Sequence, residues 1–302
     1  MLMNKKISFI TINYNSSNFT IELCKSIEEF TTLNYEIIIV DNNSKPEDLS
    51  ILESYTNDIL KIKLIKNSIN EGFSSGNMLG VSYASGEYFF FINNDTKLLS
   101  DCTLVMVDYL KNNSNTALVT GQVNDEHGNF SSSYKLFPSL VKELFGNSVA
   151  RKFNKNNFPS NKIKLTTPTL VEVVSGSCMF FRARDFNNIG GFDKNFFLYC
   201  EEEDLSKRVW NYGKSVVFLP EAKIFHSSGG STIKSFEIER EYYISYNILI
   251  NKHFNKVSVF ILKIMLFLKL FRRSFKKNNG LRLFLSFLKG FKKEYSLRYT
   301  QN

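Results

Sequence analysis

Residues 176–229 read GSCMFFRARDFNNIGGFDKNFFLYCEEEDLSKRVWNYGKSVVFLPEAKIFHSSG. Four consecutive acids, Glu201 to Asp204, stand near the middle of this stretch, directly after an aromatic run. The positive end of a helix dipole favours negative charge in a first helical turn, but this explains two of the acids at most. Because neighbouring carboxylates repel one another, the cluster needs a functional reason. We expect one of these carboxylates to act as a general base over a substrate cleft.

Continuous apolar runs before this stretch predict parallel strands. They alternate with segments of helical spacing, and they span residues 7–12, 36–40, 62–66 and 88–92. Runs that are apolar on both faces are typical of central parallel strands, and repeated strand–helix units favour an open α/β sheet with helices on both faces. Farther on, the pattern predicts a helix over residues 98–112, a strand over 117–123 and a long insert over 124–167, which we interpret as acceptor-binding.

Polar side chains follow three of the predicted strands. Asn13, Asp41 and the Asn93-Asn94-Asp95 triplet all stand where a strand ends. Ligands of open α/β sheets bind at the carboxyl ends of the strands, so these clusters are expected at one edge. Asp95 could hold a divalent cation with His226, a pair that suits Mn²⁺ better than Ca²⁺. The alternatives remain open, because Asn-Asn-Asp and Asp41 are also common in turns and a lone histidine is often structural.

The glycine-rich segment at residues 70–77, NEGFSSGN, could cradle a phosphate. It lacks the spacings of a dinucleotide-binding Rossmann loop and of a P-loop, so neither of those sites is expected. The three histidines leave little room for a Ser-His-Asp triad. Four widely separated cysteines form no Cys-x-x-Cys pair, which indicates reduced thiols in a cytosolic protein rather than zinc ligands. We interpret the N-terminal residues as a first strand and not as a signal peptide.

The net charge of +9 is concentrated at the C-terminal end of the 302-residue chain. Thirteen of the 38 Lys and Arg residues but one of the 29 acids lie in residues 251–302, which leaves 25 basic and 28 acidic residues before them. The apolar run at residues 257–271 contains two lysines and is shorter than the ~20 residues that span a bilayer. Lys252, Lys256 and Lys263 are predicted to share one helical face. A basic amphipathic tail of this kind favours an anionic membrane surface, although packing on the body or a dimer interface would also suit it.

Five segments together resemble family 2 glycosyltransferases of the GT-A fold, and most closely a bacterial rhamnosyltransferase-like branch. They cover about residues 5–235, and they are ITINYN, IIIVDNNS, NEGFSSGNMLG, FINNDT and GGFDKNFFLYCEEEDLSKRVWNYG, followed by His226. The resemblance implies an open, mostly parallel sheet flanked by helices, to which the basic amphipathic helical tail is appended. It divides the chain into a nucleotide-sugar-binding half at residues 1–100, an acceptor-binding and catalytic half at 101–235, and the tail at 236–302.

The resemblance also implies roles for individual residues. Asp95 takes the metal position of an Asp-x-Asp motif and binds Mg²⁺ or Mn²⁺ with His226, and Asn93 replaces the first aspartate of that motif, which leaves fewer charges for the metal. Glu202 takes the position of the catalytic base, where the family pattern has aspartate. Glu201, Glu203 and Asp204 would shape its pKa, while Asp204 would also pair with Arg208, four residues on. The expected nucleotide-sugar site consists of Thr11, Asn13, Asp41, Asn70, Gly72, Asn77, Asn93 and Asn94.

The activity so implied is inverting, metal-dependent sugar transfer. The expected donor is dTDP-rhamnose, and the expected acceptor is a lipid-linked or polysaccharide glycan of the cell surface. A UDP-hexose or galactofuranose donor is the alternative within the class. Nucleotidyl transfer would need a basic phosphate loop that residues 11–20 lack, and a non-catalytic membrane-binding module is the alternative of another class. We expect a cytoplasmic, peripheral membrane protein that can form a homo-oligomer and binds no nucleic acid, because the basic tail interleaves its charges with Phe, Leu and Ile.

Overall fold

The apolar runs form the strands of one large sheet in the computed structural model, which describes residues 6–154, 156, 158–227, 235–276 and 279–300. Residues 228–234, which include the end of the opening stretch, lie outside the described part. The strands are β1 Ile7–Asn13, β2 Tyr35–Asp41, β3 Ile62–Lys66, β4 Tyr88–Ile92, β5 Thr96–Leu98, β6 Thr116–Asn124, β7 Phe130–Ser131, β8 Tyr134–Lys135, β9 Thr169–Leu170, β10 Val173–Val174, β11 Cys178–Arg182 and β12 Ser215–His226.

Helices connect these strands and form the C-terminal part of the chain. They are α1 Ser17–Phe30, α2 Pro46–Thr56, α3 Gly72–Tyr83, α4 Cys102–Asn112, α5 Leu140–Lys152, α6 Ala183–Asn188, α7 Glu201–Asn211, α8 Phe236–His253, α9 Lys256–Ser274, α10 Gly280–Leu288 and α11 Leu297–Thr300.

The main sheet has the strand order β3-β2-β1-β4-β11-β6-β12-β5. Strands β1 to β4 are parallel, β11 runs antiparallel to β4 and β6, and β6 is parallel to β12. One apolar core lies between the sheet and α1, α2 and α4, and a second lies on the opposite face beneath α3, α6 and α7. The predicted α/β class with a mostly parallel sheet between helices is confirmed.

One helix start differs from the pattern prediction, and strand pairing explains it. The helix predicted from residue 98 begins at Cys102, because Thr96 to Leu98 pair with β12 and Asp101 caps the helix by accepting from the Leu104 backbone N–H. Strand β12 shifts register between Leu219 and Lys223 and continues to His226.

The C-terminal helices pack on the body along one side. Their buried residues form a third apolar core with Phe137, Val173 and Phe196. The Ser245 hydroxyl donates to the Leu198 carbonyl at 2.8 Å and fixes α8 to the segment that precedes α7. Lys252 does not share a helix with Lys256 as the periodicity predicted, because it closes α8 and forms ion pairs with Asp193 and Asp204.

Candidate active site

A cleft of about 420 Å³ opens at the carboxyl ends of β1, β2 and β4. Of the residues predicted to bind the nucleotide sugar, Asn70, Gly72, Asn93 and Asn94 line it. The lining also includes residues that sequence reasoning missed, namely Ile12, Tyr14, Asn15, Ser16, Asn42, Phe73, Ile92, Phe197, Leu198, Ile238 and Leu297. The cleft therefore draws on residues 12–94, on the segment before α7 and on the C-terminal helices.

A buried polar network lies below the cleft and joins the ends of β1 and β2. The Asn13 amide donates to Asp41 Oδ1 at 2.8 Å and to Asp48 Oδ2 at 3.0 Å, while its oxygen accepts from the Thr20 hydroxyl at 2.8 Å. The Ser44 backbone N–H donates to Asp41 Oδ2 at 3.0 Å. Asp41 thus closes a turn, which was the alternative interpretation of this residue. The turn brings the next residue, Asn42, into the cleft wall.

Two further predicted residues lie in the same floor, and the cleft lining does not include them. Thr11 is buried in β1, and its hydroxyl has no hydrogen-bond partner among the described residues. Asn77 is buried in α3, where its amide donates to the Phe73 carbonyl at 3.0 Å. Their geometry is that of supports for the cleft, and direct contact with a nucleotide stays a prediction.

The glycine-rich loop connects the end of β2 with Phe197, in the segment that precedes the acidic cluster. Gly72 has a φ of +80°, and a Cβ at this position would lie 2.2 Å from the Phe197 carbonyl oxygen. The Asn70 side chain accepts from the Gly72 N–H at 2.9 Å, and the Asn42 amide donates to the Gly72 carbonyl at 3.0 Å. The Phe73 N–H donates to the Phe197 carbonyl at 2.7 Å. Only glycine fits so close an approach with a left-handed backbone.

Asp95 and His226 meet at the edge of the cleft. The pairing of β5 with β12 sets His226 opposite Thr96, and His226 Nε2 lies 3.1 Å from Asp95 Oδ1. Adjacent ligands of an octahedral cation with bonds of 2.0–2.1 Å are about 3 Å apart, so both atoms can share one ion. No cluster of three His, Cys, Asp or Glu that could hold a metal occurs among the residues that the structure describes. A two-ligand set fits Mg²⁺ or Mn²⁺, which bind through few protein groups together with substrate phosphates.

Asn94, the middle residue of the triplet, faces away from this pair. Its amide donates to the Ser16 hydroxyl at 2.6 Å and to the Thr20 hydroxyl at 3.0 Å, at the start of α1. Asn93 is held through its backbone, which donates to the Ser177 carbonyl at 3.2 Å and accepts from the Thr96 hydroxyl at 2.6 Å. The triplet is therefore a rigid turn that carries one carboxylate to the cleft edge.

The acidic cluster opens α7 after two residues with left-handed backbone, Tyr199 at φ 69° and Cys200 at φ 67°. Non-glycine residues in this conformation are uncommon, and such strain persists only where packing enforces it. Lys135 comes from the insert, and its Nζ lies 2.9 Å from Glu202 Oε1 and 2.5 Å from Glu203 Oε1. No sequence signal identified Lys135, which is 67 positions from Glu202.

Burial and the charge of Lys135 give the three glutamates different pKa values. Burial acts to raise the pKa of Glu202, but the charge and hydrogen bond of Lys135 outweigh it, so the pKa of Glu202 is lowered. Burial, and then the charge of Glu202, raise the pKa of Glu201 well above its usual range and raise the pKa of Glu203 to about 7. Of the three glutamates, Glu202 is therefore the one whose ionised form is most favoured at neutral pH, which is the form that a general base requires.

Asp204 faces the C-terminal helices. Its carboxylate is fully buried and accepts from Arg208 Nε at 2.8 Å, while Lys252 Nζ at 2.7 Å and His253 Nε2 at 2.8 Å surround the other oxygen. Burial would raise the pKa of Asp204, but the His253 hydrogen bond and the two cations lower it to about 2. The expected pairing with Arg208 is present, and these contacts give Asp204 the surroundings of a structural anchor.

One short segment connects the acidic cluster with the Asn93–Asp95 turn. The Ser177 carbonyl accepts from the Asn93 N–H, and a Cβ on the neighbouring Gly176 would lie 3.9 Å from Glu202 Cδ and 4.0 Å from Glu201 Oε1. Residues 176–177 therefore have the Asn93–Asp95 turn on one side and the carboxylates on the other. This arrangement can hold an anionic leaving group and a proton acceptor around the same cleft.

Comparison with known proteins identifies the family of this chain. The model of glycosyl transferase family 2 matches residues 8–190. The rhamnosyltransferase WbbL of Escherichia coli is 27% identical over 203 residues, which cover 64% of this chain and 72% of that protein. The N-acetylglucosaminyl-diphospho-decaprenol L-rhamnosyltransferase of Mycobacterium tuberculosis is 39% identical over 59 residues, 20% of this chain and 19% of that protein. The chain spans about a third of the length of three Rickettsia glycosyltransferases that it also matches.

A solved structure shows the same fold. The crystal structure of GalNAc-T7 with UDP, GalNAc and Mn²⁺ superposes with a TM-score of 0.63 at 14% sequence identity, over 97% of this chain and 54% of that one. The sheet is therefore that of GT-A glycosyltransferases. The chain belongs to glycosyl transferase family 2, in the branch that resembles bacterial rhamnosyltransferases.

Proposed function

We propose that this glycosyltransferase is an inverting enzyme that moves rhamnose from dTDP-rhamnose onto a lipid-linked or polysaccharide acceptor in cell-surface glycan synthesis. The observation that carries the mechanism is the placement of two functional pairs around residues 176–177: Asp95 with His226, and Glu202 with Lys135. The choice of rhamnose is supported by the rhamnosyltransferase relatives. The choice of a lipid-linked acceptor is supported by the diphospho-decaprenol in one relative's name.

The donor is proposed to lie in the 420 Å³ cleft, with its diphosphate toward Asp95 and His226. Asn70, Gly72, Asn93 and Asn94 would contact it, and Thr11, Asn13, Asp41 and Asn77 would act from the cleft floor. Asp95 and His226 would hold Mg²⁺ or Mn²⁺, and GalNAc-T7 binds UDP together with Mn²⁺. When bound, the cation neutralises the negative charge of the departing nucleoside diphosphate.

Glu202 is proposed to accept the proton of the acceptor hydroxyl. The hydroxyl oxygen forms its bond to the anomeric carbon on the face opposite the leaving group, and the bond from that carbon to the diphosphate oxygen breaks in the same displacement. One displacement inverts the anomeric configuration, and no covalent enzyme intermediate is needed. Lys135 would keep Glu202 ionised and oriented until the acceptor binds.

Thermal unfolding with a panel of nucleotide sugars, with and without Mn²⁺, tests the proposal. A ligand that binds the folded state raises the melting temperature by mass action. We expect dTDP-rhamnose to give the largest shift and to need Mn²⁺, and we expect Asp95→Asn to abolish the metal-dependent part. Asp108→Asn on the exposed side of α4 is the matched control.

The outcomes separate the alternatives. A metal-dependent shift with UDP-glucose or UDP-galactofuranose instead would keep the transferase but replace the donor. The absence of any shift at millimolar nucleotide sugar would remove the cleft assignment and favour a non-catalytic membrane-binding module. The proposal also places the enzyme at the cytoplasmic face of a membrane, binding no nucleic acid and able to form a homo-oligomer.

A further inference from the structure

Helix α9 has two apolar faces. The residues that pack inward are buried, and they are Val259, Leu262, Leu266 and Leu270. A second set recurs every three or four residues on the opposite side, with 42 to 75% of each side chain exposed, and consists of Val257, Phe260, Ile264, Leu268, Phe271 and Phe275. Since a helix with apolar residues on both sides is normally covered on both, the outer face of α9 needs a partner.

The neighbouring helices extend this exposed face. Helix α10 packs on α9 through contacts such as Phe267–Phe284, at 5.4 Å between ring centroids, and exposes Leu281, Leu285 and Leu288. Helix α5 lies on the other flank and exposes Leu144 and Phe145. We call the outward side chains of α5, α9 and α10 the apolar platform.

Cations line the platform where α5 meets α9. A groove of about 540 Å³ is lined by Leu144, Met265 and Leu268 together with Lys269, Arg272, Arg273 and Lys276. Arg273 already has an acidic partner, because its Nη2 donates to Glu239 Oε2 at 2.7 Å. The side chains of Lys269, Arg272 and Lys276 have no acidic partner within the described ranges of the chain. An apolar surface beside uncompensated cations is complementary to an amphiphile with an anionic head.

We propose that the apolar platform docks the enzyme on an anionic lipid bilayer, with Lys269, Arg272 and Lys276 on the lipid phosphates and α9 lying in the plane of the interface. The inference rests on the proposed function in its choice of a membrane, and it specifies the partner surface that the basic tail alone does not define. In the described part of the chain, no helix is both long and apolar enough to cross a membrane. An in-plane helix needs neither property, only an apolar face with flanking cations.

Charge favours a bilayer over a second copy of the chain. Two copies that met platform to platform would bring the cations of α9 toward those of the partner with few acids to compensate them, since α9 and α10 contain no acid and α5 contains one, Glu143. An anionic bilayer satisfies those cations and covers the apolar side chains at the same time. Each cation near such a surface contributes about 1 kcal/mol to binding.

The position of α5 relates the platform to the acidic cluster. Helix α5 begins at Leu140, five residues after Lys135, which forms the ion pair with Glu202. The intervening segment is fixed, since Phe137 is buried in the core of the C-terminal helices and Lys142 Nζ donates to the Leu136 carbonyl at 2.7 Å. A docked platform would therefore hold Glu202, the proposed general base, a short distance from the lipid surface.

Flotation of the full-length protein with vesicles tests the platform. We expect binding to vesicles of phosphatidylcholine with phosphatidylglycerol, and weak binding to phosphatidylcholine alone or at high salt. Replacing Phe260, Leu268 and Phe275 together by Gln should abolish flotation. The matched control replaces three exposed apolar residues elsewhere by Gln and should float as wild type: Ile51, Leu60 and Leu104.

A second variant tests the cations. Lys269→Gln, Arg272→Gln and Lys276→Gln together should weaken partition into the anionic vesicles by a factor on the order of 100, because each charge is worth roughly fivefold. The charge-matched control replaces three exposed lysines of the body, outside the insert, by Gln and should change little: Lys61, Lys111 and Lys223. All variants should keep the thermal shift with nucleotide sugar, which reports folding and the donor cleft independently of lipid.

Three results would overturn the inference. The first is flotation of both platform variants at the wild-type level. The second is failure of the wild type to float while its donor shift is intact. The third is a dimer in light scattering that the Phe260, Leu268 and Phe275 variant dissociates, without vesicle binding by the wild type. That result would make the platform an interface between copies. A protein that floats as predicted but binds no nucleotide sugar would instead refute the proposed function alone.

Discussion

Replacement of Glu202 by Gln should remove most of the transfer activity without unfolding the protein. Glutamine has nearly the same shape and can still accept from Lys135 through its oxygen, but it cannot take a proton from an acceptor hydroxyl. A positioned general base accelerates the reaction by on the order of 10²- to 10⁴-fold, so kcat should fall by that factor. This corresponds to an activation barrier that is about 3–5 kcal/mol higher. Donor affinity should stay unchanged, because the cleft lining does not include Glu202.

Glu201→Gln is the matched control in the same helical turn. Burial and the charge of Glu202 raise the pKa of Glu201 well above its usual range, which favours the neutral carboxyl form that the amide resembles. We expect kcat to stay within about threefold of wild type, since this substitution removes less negative charge than Glu202→Gln does. The kinetic difference between these adjacent glutamates thus depends on the lysine and not on their order in the sequence.

The assay is release of nucleoside diphosphate from the donor that gives the largest thermal shift, with acceptor glycan present and at saturating Mn²⁺. Melting temperature and the donor-induced shift are measured on the same samples to exclude misfolding. The reasoning is refuted if Glu202→Gln keeps the wild-type kcat, or if Glu201→Gln loses more activity than Glu202→Gln. The latter result would move the base to Glu201 and make Lys135 a purely structural partner.

Three other changes test separate parts of the structure. Lys135→Met should move the acidic limb of the pH–rate profile to higher pH, because the cation that lowers the pKa of Glu202 is gone, and an unmoved limb would contradict this. Gly72→Ala should lower stability by about 1–3 kcal/mol in urea unfolding, since the Cβ collides with a backbone carbonyl at positive φ, and an unchanged midpoint would show that the loop yields. Asp204→Asn should lower the free energy of unfolding by about 2–3 kcal/mol at pH 7. The pKa of Asp204 is about 2 in the folded protein and near 3.9 in the unfolded chain, so its ionised carboxylate stabilises the folded state fully above about pH 4. That difference from wild type should vanish as the pH falls from about 4 toward 2, and urea titrations at pH 7 and pH 3 that gave equal differences would disprove the linkage.

Local patterns were sufficient for the sheet and for the polar ends of its strands. The apolar runs at residues 7–12, 36–40 and 88–92 became buried strands, since a central strand between two layers of helices is covered on both faces. Asp95 and the acidic cluster could be predicted as parts of the site because the sequence around each is unusual. One places a carboxylate directly after a buried strand, and the other crowds four acids into one helical turn.

Long-range contacts were not accessible from the sequence. Nothing near Lys135 in the chain distinguishes it from a surface lysine, and its role depends on an insert that folds back over α7. Lys252 follows the helical period of Lys256 and Lys263, yet a break after His253 ends α8 and turns Lys252 toward Asp204. A helical period does not record a helix end that packing enforces, so the pattern joined two helices into one.

The C-terminal helices belong to the site more closely than a division at residue 236 suggests. Ile238 of α8 and Leu297 of α11 both line the donor cleft. Leu297 is held there by Glu241, a buried carboxylate that accepts from the Leu297 N–H and from the Ser296 hydroxyl, each at 2.9 Å. Because α9 and α10 lie between these two contacts in the chain, this part of the apolar platform is anchored to the cleft wall at both ends. A bilayer that held the platform would therefore fix the orientation of the donor cleft itself, and not merely keep the enzyme near its acceptor.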